Sequence, residues 1–378
     1  PNKYPVIALE NLHVSSGWFD SSVSFGEPGY EERETLTNGL HVAAVSGFTD
    51  VALNANTNPV IDSHSDISFV KSKATHSATS LHPIGALTKG SEGIDLAELF
   101  DMKSAGSIAF GDYKKPIENP NLLKIALQYT SSFDGLVHSF PHEKRVAKKG
   151  VMNENITSTR IGLKGLPALA EELQIARDLF ILEYTEGKLH IPTVSTAKSV
   201  ALIRDAKAKK LDISCSVAIH NLMFSDEFLS DFNTNFKVNP PLRTQSDIDA
   251  LIAGLKDGTI DMVTSDHNPI DIEYKKIEFD YAKNGTVGLE SAFGALNTLF
   301  TTKKAIQLLT KGKERFGLNT QNIAIGNVAQ LSLFDPTKSY VLEEKHLHSK
   351  SKNSLFLGSK LKGTVYGIIA NNTTSISL

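Results

Sequence analysis

The chain holds one cysteine, Cys215, among its 378 residues. No internal disulfide can form, and a reducing compartment fits. Charge of one sign is missing too: 39 Lys and Arg stand against 42 Asp and Glu, a net −3. No Lys/Arg run could track a phosphate backbone, so nucleic acid is not an expected partner. No apolar run approaches the roughly 18 residues that span a bilayer, and no signal-peptide pattern is present. Residue 1 is Pro rather than Met, which leads us to expect that the natural start is missing. Internal repeats and low-complexity tracts are absent. What remains is an average globular composition, 40% hydrophobic and 21% charged, and the expectation is a soluble, cytoplasmic protein without a membrane partner.

Short apolar segments rich in Val, Ile and Phe alternate with amphipathic ones. Residues 17–25, 47–54, 106–112, 135–140, 188–195, 211–220, 236–239 and 260–266 read as buried parallel strands. Helical spacing covers 166–184, where Leu169, Leu173, Ala176 and Leu179 form one apolar stripe. It also covers 195–210, opening on a capping Ser, and 244–258, ending on Gly. Eight strands alternating with helices predict an α/β fold, a (β/α)8 TIM barrel. After about residue 320 the period becomes that of short strands. The expected division is a remnant β-module at 1–16, a barrel at 17–320 and a small C-terminal β-module at 321–378. The SKSK stretch at 349–352 reads as a solvated loop.

A barrel places its chemistry at the C-terminal ends of its strands. Ser22 and Ser24, two apart in "GWFDSSVSFGEPG", point to one side of the first strand. Asn54 and Asn56 follow the second, and Asp112, His138, His190 and Thr193 fall at the next three ends. His220, Asn221, Asn239, Asp266 and His267 complete the ring. "VTSDHNP" is the sharpest motif, because an Asp after the last strand can act as the base for a metal-bound water. Taken singly, each has a plainer alternative. The Asp-His pair can be a cap, His138 a hydrogen-bonded pocket residue, and Asp112 a loop or N-cap acid.

Long stretches carry a resemblance: "GWFDSSVSFGEPGYEERET", "GFTDVALNANTNPVID", "LKGLPALAEELQIARD", "FKVNPPLRTQSDIDALIAGLKDGTIDMVTSDHNP", "NGTVGLESAFGAL" and "SKSKNSLFLGSKLKGTV". From about residue 17 onward the sequence resembles the dihydroorotases of the multifunctional-complex type, in the cyclic amidohydrolase group. Most of the N-terminal β-segment that precedes the family's first barrel strand looks absent.

That resemblance implies one or two divalent ions, usually zinc, activating a water. The water opens or closes the ring amide between dihydroorotate and carbamoyl aspartate. The family's first strand ends Asp-x-His-x-His-x-Arg, and the matching residues here are Asp20, Ser22, Ser24 and Gly26. Asp112, His138 and Asp266 match remaining ligands, with Asp266 also the vestigial base. Thr193 stands at a lost histidine in "HIPTVST", where His190 is kept, and Ile270 at another after "DHNP". Asn56, Asn239 and His267 match the substrate side.

Three of the family's six ligand positions are thus replaced, each a histidine, and hydroxyls are poor zinc ligands. The expectation is a dihydroorotase homologue of pyrimidine biosynthesis, catalytically impaired or inactive, with no cofactor. It would act as a structural partner of aspartate carbamoyltransferase, as a homo-oligomer, or both. The alternative is an active zinc-dependent dihydroorotase with an unusual metal site. A third reading is a metal-independent binder of a small anion, lined by His138, His190, His220 and His267. Restoring Ser22→His, Ser24→His and Thr193→His should raise zinc affinity, with activity awaiting Gly26→Arg.

Overall fold

The computed structural model describes residues 7–377. Its strands in chain order are β1 His13–Ser16, β2 Trp18–Val23, β3 Phe48–Leu53, β4 Ser80–Gly85, β5 Ala109–Phe110, β6 Val137–His138 and β7 Met152–Asn153. They continue with β8 Gly165–Leu166, β9 Leu189–Ile191, β10 Ile213–Ala218, β11 Met262–Thr264, β12 Leu331–Val341, β13 Lys360–Ala370 and β14 Thr373–Ile376. Eight of them form one sheet in the order β2-β3-β4-β5-β6-β9-β10-β11. All its paired strands are parallel.

The sheet closes on itself. Val23 bridges His267 in parallel sense, and the Ser24 N–H donates to the His267 carbonyl at 2.8 Å. Asp20 fastens that seam, accepting from Thr264 Oγ1, from Ser265 N–H at 2.8 Å and from Ser22 N–H at 3.0 Å. Phe19, Ala52, Ile84, Ala109 and Met262 fill the interior against Phe316, making the barrel a packed core.

The (β/α)8 expectation holds, although two strands were placed wrongly. β4 was missed because "SLHPIG" contains a proline, which lacks a ladder donor, and has few β-branched residues. Residues 236–239 are not a strand. A 3-10 turn, Thr234–Phe236, leads into a loop, and Phe236 packs on Phe224 and Phe228 instead of pairing in the sheet. Pro240 and Pro241 then remove two donors. Asp112 therefore follows the fourth barrel strand, His138 lies on the fifth and His190 on the sixth.

The chain's two ends meet in a second sheet, β1-β12-β13-β14, antiparallel throughout. The terminal segments thus share one module, of which residues 1–6 lie outside the described residues. Trp18 is fully buried where this module meets the barrel, stacked on Phe293 at 4.8 Å and tilted against Phe334 at 5.6 Å.

The helix Leu169–Thr185 turns its apolar stripe outward: Leu169 is 54% exposed, Leu173 46%, Phe180 74% and Tyr184 73%. Its buried face carries Glu171, Gln174 and Asp178. The reason is polar satisfaction at the strand ends. Glu171 accepts from the N–H groups of Ser195 and Thr196 at 2.8 and 3.1 Å, and Asp178 accepts from Ser139 Oγ at 2.6 Å. Arg243 is buried beside Glu171, donating to Asn153 and to the Leu166 carbonyl at 2.9 Å each. The SKSK stretch is not solvated either. Ser349 and Ser351 are buried, and Glu290 and Glu34 accept from the N–H groups of Ser349 and Lys350 at 2.9 and 2.8 Å.

Candidate ligand site at the barrel mouth

Two adjoining cavities open at the C-terminal ends of the strands, with Tyr113 and Lys114 lining both. The inner one is narrow and polar, bounded by Ser22, Asn54, His138, Thr193 and Asp266. The outer one, of about 490 Å³, is lined by Asn56, Asn239 and Ile270 among others. Three residues at this mouth hold left-handed backbone that non-glycine side chains disfavour: Tyr113 at φ 54°, Thr193 at 54° and Asp266 at 49°. Such strain costs about 1–3 kcal/mol each and persists where a surrounding frame imposes it.

Ser22 and Ser24 do face the same side. The Asn54 amide donates to Ser22 Oγ at 3.0 Å and reaches Ser24 Oγ at 3.4 Å, while Ser24 donates to Asn56 at 2.9 Å. Asp266 is buried, and its Oδ2 accepts from Lys114 Nζ at 2.6 Å. Burial alone would lower the Lys114 pKa, but Asp266 and Tyr113 raise it above its ordinary value, so the ammonium stays charged. Asp266 Oδ1, His138 Nε2, Thr193 Oγ1 and the Tyr113 hydroxyl are buried without partners in the same place.

Other expected residues lie elsewhere. Asp112 is not part of the mouth. Its Oδ1 accepts from the N–H groups of Leu87 and Thr88 at 2.9 and 3.0 Å, and its Oδ2 from Thr88 Oγ1 at 2.6 Å. It is a loop fastener, the plainer of its two readings. His267 lines neither cavity. Its Nδ1 accepts from Gly288 and Leu289 N–H at 3.2 and 3.4 Å, at the start of the helix Leu289–Leu299. His190 bonds Ser214 and Ser216 between strands, at 2.8 and 3.3 Å. His220 lines neither cavity.

Gly26, where the resemblance puts an arginine, has φ +84°, and a Cβ there would meet the Tyr30 carbonyl oxygen at 2.4 Å. An arginine cannot simply be put back. The residues that sequence reasoning missed are Tyr113 and Lys114, together with Arg33, Lys237 and Lys283 around the outer cavity. "GDYKKP" beside Asp112 was the only available signal, and it does not reveal a partner at residue 266.

The buried imidazoles make stability depend on pH. Burial pushes His220 down to about 3, His267 to about 4 and His190 well below its ordinary value. Unfolded histidines take up protons below about pH 6.5, whereas these rings stay neutral in the fold. The unfolded state therefore binds more protons as pH falls, and stability drops by up to about 1.4 kcal/mol per pH unit per ring. Asp20 and Asp178, raised by desolvation, offset part of that fall. Urea unfolding should show a lower midpoint at about pH 5 than at about pH 7, and equal midpoints would contradict neutral burial.

Solved structures share the architecture. An L-hydantoinase (dihydropyrimidinase) from Arthrobacter aurescens superposes with TM-score 0.83 at 19% identity, covering 95% of this chain and 84% of that one. A dihydropyrimidinase from Brevibacillus agri gives 0.80 at 20%, covering 98% and 86%. The fold is that of the cyclic amidohydrolases. A family profile described as "Dihydro-orotase-like" matches residues 13–199. Dihydroorotase from Ruminiclostridium cellulolyticum is 41% identical over 376 residues, 97% of this chain and 88% of that protein. The one from Acetivibrio thermocellus is 38% identical, over 98% and 89%. The chain belongs to the dihydroorotase-like family.

Zinc is the metal this family normally uses, and the residues at this mouth do not fit it. Among the described residues no group of three or more His, Cys, Asp or Glu side chains is placed to hold a metal ion. His138 Nε2 and Asp266 Oδ1 are the free donors, with hydroxyls beside them and the Lys114 ammonium already on the other Asp266 oxygen. Catalytic zinc takes three protein ligands, and a fixed ammonium repels a second cation.

Proposed function

We propose that this chain is a cytoplasmic, non-catalytic member of the dihydroorotase family that works by association, with aspartate carbamoyltransferase as its partner. One observation carries the loss of catalysis. Where the resemblance places metal ligands, Ser22, Ser24 and Thr193 present hydroxyls, and Lys114 neutralises the acid that would serve as base. A surface for association is available in the outward stripe of the helix Leu169–Thr185, whose large apolar side chains lie on one face.

The test pairs metal analysis after dialysis with a dihydroorotate assay in added zinc, then sedimentation with aspartate carbamoyltransferase. The reading expects no turnover and a complex that Leu173→Glu/Phe180→Glu abolishes. Zinc-supported turnover at a rate typical of enzymes would overturn it.

A second reading, an active dihydroorotase with an unusual site, is supported by relatives of that name at 38–41% identity. The unpartnered His138 Nε2 and Asp266 Oδ1 also support it. It expects metal retained through dialysis.

A further inference from the structure

The outer cavity is lined by four cations, Arg33, Lys114, Lys237 and Lys283, and by no carboxylate. A cavity of about 490 Å³ is the size of a small-molecule site, and so one-sided a charge is not explained by packing. Lys114 and Arg33 contact acids outside the lining, Asp266 at 2.6 Å and Glu32 at 3.5 Å. The other two do not. Lys237 donates only to the carbonyls of Phe279 and Asp280, at 2.6 and 2.9 Å, and Lys283 lies 3.3 Å from the centre of the Tyr274 ring.

Just behind, Lys275 donates to the Thr234 carbonyl, and burial and the charge of Lys237 push it down to about 7. The region is short of negative charge. Asn56, Asn239 and Asn268 add amides to the wall, and Asn239 Oδ1 is buried with no partner. The histidines first considered for an anion pocket do not build this one. His190, His220 and His267 are absent from its wall, and His138 faces only the inner cavity.

We propose that the outer cavity binds a small dianion, a dicarboxylate or a phosphate, without metal. Lys237, Lys283 and Arg33 would supply the charge, with Lys114 at its inner edge. The proposal rests on the non-catalytic reading only in taking Lys114 as the cation at the mouth. Charge-assisted hydrogen bonds from several elements are enough to hold such a ligand.

Calorimetry on the intact chain, with a chelator present throughout, tests it with two probes, succinate and inorganic phosphate. At least one should bind saturably, more weakly as salt rises. Succinate alone identifies a carboxylate site, phosphate alone a phosphate site, and both a general dianion site. Lys283→Met and Arg33→Met, at half-buried positions, should each weaken binding about tenfold while the thermal midpoint stays put. No saturable binding of either probe, or binding that both variants leave unchanged, overturns the proposal. Zinc-dependent turnover would sink the non-catalytic reading and leave this site standing. Failure of the probes would do the reverse.

Discussion

Histidines at positions 22, 24 and 193 raise zinc affinity by more than about 100-fold in a Lys114→Ala background, beyond what outer-shell changes alone achieve. With Lys114 in place, the same three substitutions leave it near the parent value. The Asn54 amide reaches both Ser22 Oγ and Ser24 Oγ, so imidazoles there would converge. Thr193 Oγ1 and His138 Nε2 are free in the same cavity. What stands in the way is the ammonium at 2.6 Å from Asp266 Oδ2. Removing it leaves a buried carboxylate that a divalent ion can neutralise, so one cation replaces another. Titration with a competing chelator reads the difference. Equal zinc affinity with and without Lys114 would mean that the lysine does not guard the site. Adding Gly26→Arg should lower the thermal midpoint instead of restoring turnover, because its Cβ lies 2.4 Å from a carbonyl oxygen.

Lys114→Met alone costs about 3–5 kcal/mol of stability, because it strands the Asp266 charge in the barrel. The Asp266 side chain is 2% exposed and the Lys114 side chain 13%, so water cannot take over. The double variant Lys114→Met/Asp266→Leu should recover most of the loss, since apolar replacement of a whole buried pair is often neutral or better. Denaturant unfolding of both variants measures this. A neutral single variant would show that Asp266 is not ionised in the fold, and would undo the account of Lys114 as the mouth's resident cation.

The barrel was legible because its strands are short, apolar and β-branched, and because Asp20, His138 and Asp266 sit at strand ends in stretches with a family's spacing. Two placements failed for local reasons. "SLHPIG" hides a strand behind a proline, and the Phe236–Val238 stretch looks like a strand while its aromatic ring packs against other rings. The helix Leu169–Thr185 failed for a tertiary reason. Its core face is chosen by Glu171 and Asp178 meeting donors from other elements, and a helical wheel cannot see those donors.

For the site, sequence alone determined which histidines are missing and which acid remains, because these are matters of identity at matched positions. Whether the remaining groups meet was decided by the fold. Asp112 is taken up by Leu87 and Thr88, and His267 by the start of a helix. Lys114 reaches Asp266 across 152 residues of chain because β5 and β11 deliver their following loops to one barrel mouth. An ion pair is a distance between side chains, and only barrel closure sets that distance.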